Sequence, residues 1–159
     1  MAKMDLDPID LRILDRLQQD GRITNVELSK AVGLSPSPCL RRVRELEEAG
    51  VIDRYAAVLD QSAVGLSLSV FVQVTLERQI ETALETFERT IGGRPEVMEC
   101  YLMTGDSDYL LRVAVADVAS YEQFLKNHLT RIPGVASIKS SFALNRMKYE
   151  TALPLSRRA

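Results

Sequence analysis

Two rhythms of apolar and polar positions divide this sequence. Up to about residue 50 the apolar residues recur every three or four positions, the spacing of helices with one buried stripe. Ile9, Ile13 and Leu17, with Leu14 beside them, predict a first helix that Asp7-Pro8 opens and Asp20-Gly21 closes. Leu28, Ala31 and Val32 predict a second, begun by a capping box of Thr24 and Glu27 and ended by Gly33. Leu40, Val43 and Leu46 predict a third, with Ser35 at its N-cap and Pro36 at its first position. From Ser67 the rhythm shortens to two. Leu68, Val70, Val72, Val74 and Leu76 alternate with Ser67, Ser69, Phe71, Gln73 and Thr75, a strand with one buried face. Ile80, Ala83, Leu84, Phe87 and Ile91 then mark a helix stopped by Gly92-Gly93 and Pro95. Residues 97–104 and 108–116 read as strands joined by a short hairpin across Gly105, Asp106 and Ser107. Asp117 caps a helix bearing Tyr121, Phe124, Leu125, Leu129 and Ile132, and residues 136–147 read as a last long strand.

The order βαββαβ closes into a four-stranded antiparallel sheet with both helices on one face. The predicted class is therefore α+β: an N-terminal winged helix-turn-helix domain followed by a ferredoxin-like βαββαβ sandwich. Val51-Ile52 and residues 55–59 read as extended, the place of a wing strand or linker, and Gly65 marks a boundary. The expected division is residues 1–53, a linker strand over 54–66, and a second domain over 67–159. Phe71 falls on the sheet face without helices, which suggests a second copy packed sheet to sheet.

In the third helix Ser37, Pro38 and Arg41 face away from the apolar stripe, flanked by Arg42 and Arg44. Small side chains in the first turn and arginines beyond it suit a helix entering a DNA major groove. An ordinary helical hairpin with solvated arginines fits the same pattern. Charge weighs against a strong sequence-independent grip, because the net charge is −2 and residues 1–60 hold nine Lys/Arg against eleven Asp/Glu. Positive charge is local, at Arg41, Arg42, Arg44 and Arg54. A hydrophobic content of 46% with 26% charged residues is globular, and no apolar run approaches a bilayer span. Without an apolar h-region near the N-terminus, and with only Cys39 and Cys100, free thiols in the cytoplasm are expected.

Catalysis and metal binding lack a motif. The single histidine, His128, lies on an apolar helix face and reads as a packed side chain; CxxC, GxGxxG and GxxxxGK[ST] are missing. The strand SDYLLRVAV lacks the aromatic spacing of an RNA-recognition sheet. A small ferredoxin-like enzyme would need a convergent acid/base or cofactor set, and the residues offer none. The turn from Leu102 to Tyr109 is ambiguous. Its glycine and two carboxylates could receive the carboxylate and ammonium of a free amino acid, or simply make a hairpin turn.

The run DGRITNVELSKAVGLSPSPCLRRVRELEEAGVI, the turn GDSDYLL and RIPGV before the last strand resemble the Lrp/AsnC (leucine-responsive, feast/famine) family of transcriptional regulators, and its leucine-responsive branch in particular. The resemblance covers nearly the whole chain. It implies a regulator of amino-acid metabolism that binds double-stranded DNA and responds to a small effector, leucine or another apolar amino acid. It also implies dimers assembling to tetramers or octamers, a nucleoid-associated cytoplasmic location, and no cofactor or metal. DNA contacts are then expected at Thr24, Asn25, Ser35, Ser37, Pro38, Arg41, Arg42, Arg44 and Arg54, with Arg41 on base edges and Arg42 and Arg44 on phosphates. Effector contacts are expected at Leu102, Thr104, Gly105, Asp106, Asp108 and Tyr109, and secondarily at Val118 and, on the last strand, Ser141. An architectural, nucleoid-type DNA-binding protein without ligand response is the alternative.

Overall fold

A computed structural model describes residues 5–155 and resolves them into two compact units. One takes the chain up to Val58 together with the stretch from Met147 onward; the other takes Leu59–Arg146.

The first unit is built on three helices, α1 (Pro8–Gln19), α2 (Asn25–Val32) and α3 (Pro36–Glu48). Each starts where local chemistry satisfies its free N–H groups. Asp7 caps α1 by accepting from the Ile9 and Asp10 amides at 2.7 and 2.8 Å, and Asp10 reaches back to the Asp7 N–H. Thr24 and Glu27 make the expected capping box on α2, and Gly33 ends it in a left-handed conformation, φ 76°. Ser35 occupies the N-cap of α3, but its side chain makes no cap hydrogen bond. Ile13, Leu14, Leu28, Val32, Cys39 and Leu46 form the buried core. Cys39 is a correction to the predicted stripe. It is fully buried while Leu40 is 38% exposed, so α3 turns its 39-43-46 seam inward.

Residues from Met147 onward are a second correction, because the last strand stops at Phe142 and the chain then returns to the helical unit. There the Gln18 side-chain amide donates to the Leu153 carbonyl at 3.1 Å and accepts from the Leu153 N–H at 2.6 Å. Leu155 packs on the helical core. Residues 51–66 carry no strand ladder within the chain. Tyr55 ties their start to α3 by donating to Glu47 at 2.9 Å, and a one-turn coil capped by Asp60 ends at Gly65, φ 79°.

The second unit follows the predicted order: β1 (Leu68–Leu76), α4 (Glu81–Gly92), β2 (Val97–Leu102), β3 (Tyr109–Val115), α5 (Val118–Asn127), a 3-10 turn (Leu129–Arg131) and β4 (Val135–Phe142). The sheet runs β2-β3-β1-β4, all antiparallel. Val70, Val72 and Val74 alternate into a core shared with Leu111, Val113, Phe87, Ile91 and Phe124. Tyr109 stacks on Phe87 at 4.4 Å between ring centroids. The opposite face, without helices, carries Phe71, 41% exposed, and Tyr101. On that face Arg112 Nε donates to Glu99 at 2.7 Å. Among the described residues no helix is long and apolar enough to cross a membrane, and no group of His, Cys, Asp or Glu could hold a metal ion.

Candidate nucleic-acid interface and ligand-response turn

The helical unit sorts its arginines by the rotation of α3. Arg42 lies toward α1, where Nη1 donates to Asp7 Oδ2 at 2.8 Å and to Asp10 Oδ1 at 2.7 Å. Asp10 is 4% exposed, so its carboxylate has left water for this guanidinium. Backbone donation from Asp10, joined by Arg42, holds the Asp7 carboxyl below its ordinary range. Arg42 is therefore a clamp between helices rather than the phosphate contact its helical angle suggested. Arg41 and Arg44 remain on the outer face with Ser37. Arg41 is 63% exposed and pairs one turn along with Glu45 at 2.5 Å. That partner neutralises it without hiding it, and an exposed pair of this kind exchanges readily for a stronger acceptor. Ser35 is exposed and Pro38 half-buried beside this face.

Asn25 braces the turn between the two helices, donating to the Pro36 carbonyl at 2.8 Å, while Thr24 is engaged with Glu27. The Asn25 bond holds the N-terminus of α3 in place, whereas the Thr24–Glu27 pair caps α2. Arg54 is 81% exposed, 3.9 Å from Asp53. The structure thus gathers Ser37, Arg41 and Arg44 on one surface, ties Asn25 to the start of α3, and engages Arg42 with α1.

In the second unit the turn between β2 and β3 is longer than a three-residue hairpin, spanning residues 103–108. Leu102 at the end of β2 and Thr104, Gly105 and Asp106 in the turn are exposed, and Gly105 has φ 123°. Asp108 and Tyr109 face inward. Asp108 is 4% exposed; its Oδ2 accepts from the Leu76 N–H at 2.6 Å and its Oδ1 from the Gln79 amide. Both carboxylate oxygens are thereby engaged in fastening β1 to the turn, which leaves Asp106 as the acid presented at the surface. The Tyr109 hydroxyl donates to Glu88 at 2.8 Å, and burial followed by that carboxylate pushes its pKa strongly up. Val118 lies past the other end of β3, about 20 Å of strand away. Ser141 sits opposite Phe71 on the helix-free face. Within one chain these two are not brought to the turn. His128 is half-buried, its Nδ1 3.1 Å from Arg94 Nη1 and its ring against Phe124.

Sequence reasoning missed the Asp7–Asp10–Arg42 cluster, although acids at the start of one helix and three arginines in another were visible signals. It also missed the returning segment at Leu153 and Leu155, for which no local pattern exists.

Comparison with known proteins places both units. Residues 6–53 match a winged helix-turn-helix DNA-binding family, and residues 69–153 match the Lrp/AsnC ligand binding domain. The Bkd operon transcriptional regulator of Pseudomonas aeruginosa is 52% identical over 151 residues, 95% of this chain and 99% of that protein. The leucine-responsive regulatory protein of Escherichia coli K12 is 45% identical over 154 residues, 97% of this chain and 94% of its own. Among solved structures, a transcriptional regulator of Neisseria meningitidis in complex with L-Met superposes with a TM-score of 0.90 at 44% identity, covering 95% of this chain and 97% of that one.

Proposed function

Because the chain belongs to the Lrp/AsnC family of transcriptional regulators, with a helix-turn-helix unit and an amino-acid-binding unit, we propose that the outer face of α3 reads DNA and that the 102–106 turn responds to an apolar amino acid. The observation that carries the DNA half is the division of labour on α3. Arg42 is consumed by Asp7 and Asp10, whereas Ser37, Arg41 and Arg44 are left facing solvent together. The base-reading role goes to Arg41, which can leave Glu45 for a guanine edge, and the phosphate role to Arg44.

For the effector half, the turn offers exposed backbone around Gly105 and one free-facing acid, Asp106, with Leu102 beside them. These groups suit the ammonium and body of a small amino acid, but they form half a site. A neighbouring copy completes it, and Val118 or Ser141 enters from that copy. Leucine and methionine are the effectors to test first, since the Neisseria relative was solved with L-Met. The helix-free sheet face, with Phe71 and Tyr101 exposed, forms the dimer, and dimers build the tetramer or octamer. Several modest footprints on one DNA then add by avidity, which answers the acidic balance of the chain. This reading places the protein on DNA in the cytoplasm and gives it no catalytic step.

The experiment is a thermal-shift screen of the full chain against the twenty amino acids, with light scattering on each hit and a duplex-binding assay with and without it. A melting-temperature rise with leucine, methionine or a related amino acid, and a change in assembly size or DNA affinity, supports the proposal. Silence across the panel with DNA binding intact favours the architectural alternative.

A further inference from the structure

The outer face of α3 holds one residue that neither charge nor packing explains. Leu40 is 38% exposed and is not packed on the helical core, which takes Cys39, Val43 and Leu46 instead. It lies one turn beyond Ser37 and one turn before Arg44. Ser37, Leu40, Arg41, Arg44, Glu45 and Glu48 line a shallow hollow, and Leu40 is its only apolar side chain. An exposed leucine alone needs no explanation. One set among the polar residues of a face proposed to enter a DNA groove does, because contact would strip it of water and surround it with polar groups. The major groove displays a single apolar group that can meet it, the C5-methyl of thymine.

We propose that Leu40 reads a thymine methyl group, and so fixes a T at one position in each half-site. The inference rests on α3 being the DNA-reading helix. Arg41 and Arg44, one and four residues further along the helix, hold it at a depth where the leucine reaches the methyl edge. Arg41 and Glu45, paired at 2.5 Å, line the same hollow as Leu40.

The test uses a duplex selected by the full-length protein from a random pool, in which each thymine is replaced in turn by deoxyuridine. That change removes one methyl group and no hydrogen bond. The wild-type protein is expected to lose about fourfold in affinity at one thymine per half-site, the worth of one buried methyl. L40A should bind the thymine and deoxyuridine duplexes equally, with the wild-type melting temperature. L40M should retain the discrimination. Wild-type indifference to every replacement overturns the proposal, as does an L40A protein that still discriminates. R41A and R44A keep the two ideas apart: if neither weakens binding to the selected duplex, α3 is not the reading helix and both ideas fall. If they weaken it and thymine replacement does not, only the role of Leu40 falls.

Discussion

Arg42 and Arg44 stand two residues apart on one helix, yet their surroundings give them different work. Arg42 neutralises Asp10, a carboxylate 4% exposed, and meets Asp7 at the cap of α1. Removing it leaves the buried Asp10 carboxylate without a cation, held by the Asp7 N–H alone. R42A should therefore lower the melting temperature while the salt dependence of DNA binding by the remaining folded protein stays as it was. R44A should do the reverse, keeping stability and reducing the slope of log affinity against log salt by about one per bound copy. For R41A the expected loss is discrimination between the selected and a scrambled duplex, about 1–3 kcal/mol. Asp7 adds a pH test. Its folded pKa is depressed, so its stabilisation is complete above the unfolded value of about 3.9 and fades as pH falls through the lower folded value. The gap in urea midpoint between wild type and D7N should thus be full at neutral pH and close in acid. Composition showed these arginines and acids but could not show which would meet, since Asp7 and Arg42 are 35 residues apart.

Elements were the most legible scale, because helix and strand periods need only local sequence. The capping box at Thr24, the glycine stop at Gly33 and the alternation along β1 all appear where expected. The phase of α3 did not follow. Leu40 and Cys39 differ by 100° on the helix, and hydrophobicity alone favoured leucine for the core; the fit of a smaller thiol beside α1 and α2 decided otherwise. The β2–β3 turn shows the same limit. Its residue types suit both a ligand and a hairpin, and burial divides them: Asp106 faces out, Asp108 in. D108A would strand the buried Leu76 N–H, which costs about 1–3 kcal/mol, and the urea midpoint should fall accordingly. D106A should leave that midpoint unchanged and weaken the amino-acid response in the thermal-shift assay. A D108A protein as stable as wild type would return Asp108 to the list of candidate ligands.

For the whole molecule, the order of elements sufficed for a four-stranded antiparallel sheet with both helices on one face, since right-handed βα connections leave few other ways to close it; the structure adds the strand order β2-β3-β1-β4. What lay beyond reach was contact between distant segments and between copies. The Gln18–Leu153 pairing spans 135 residues and carries no periodic mark. The proposed dimer face carries Phe71 and Tyr101 exposed, so F71K should shift light scattering toward the monomer without unfolding the sheet, Phe71 lying outside the core. The returning segment has a consequence for how the chain is made. A ribosome releases residues 59–146 in full before Leu153 and Leu155 emerge, so the regulatory unit has its complete sequence while the DNA-binding unit still waits for a part of its own. The unit whose synthesis starts first is completed second, and a nascent chain meets its effector-binding fold before its DNA-reading one is whole.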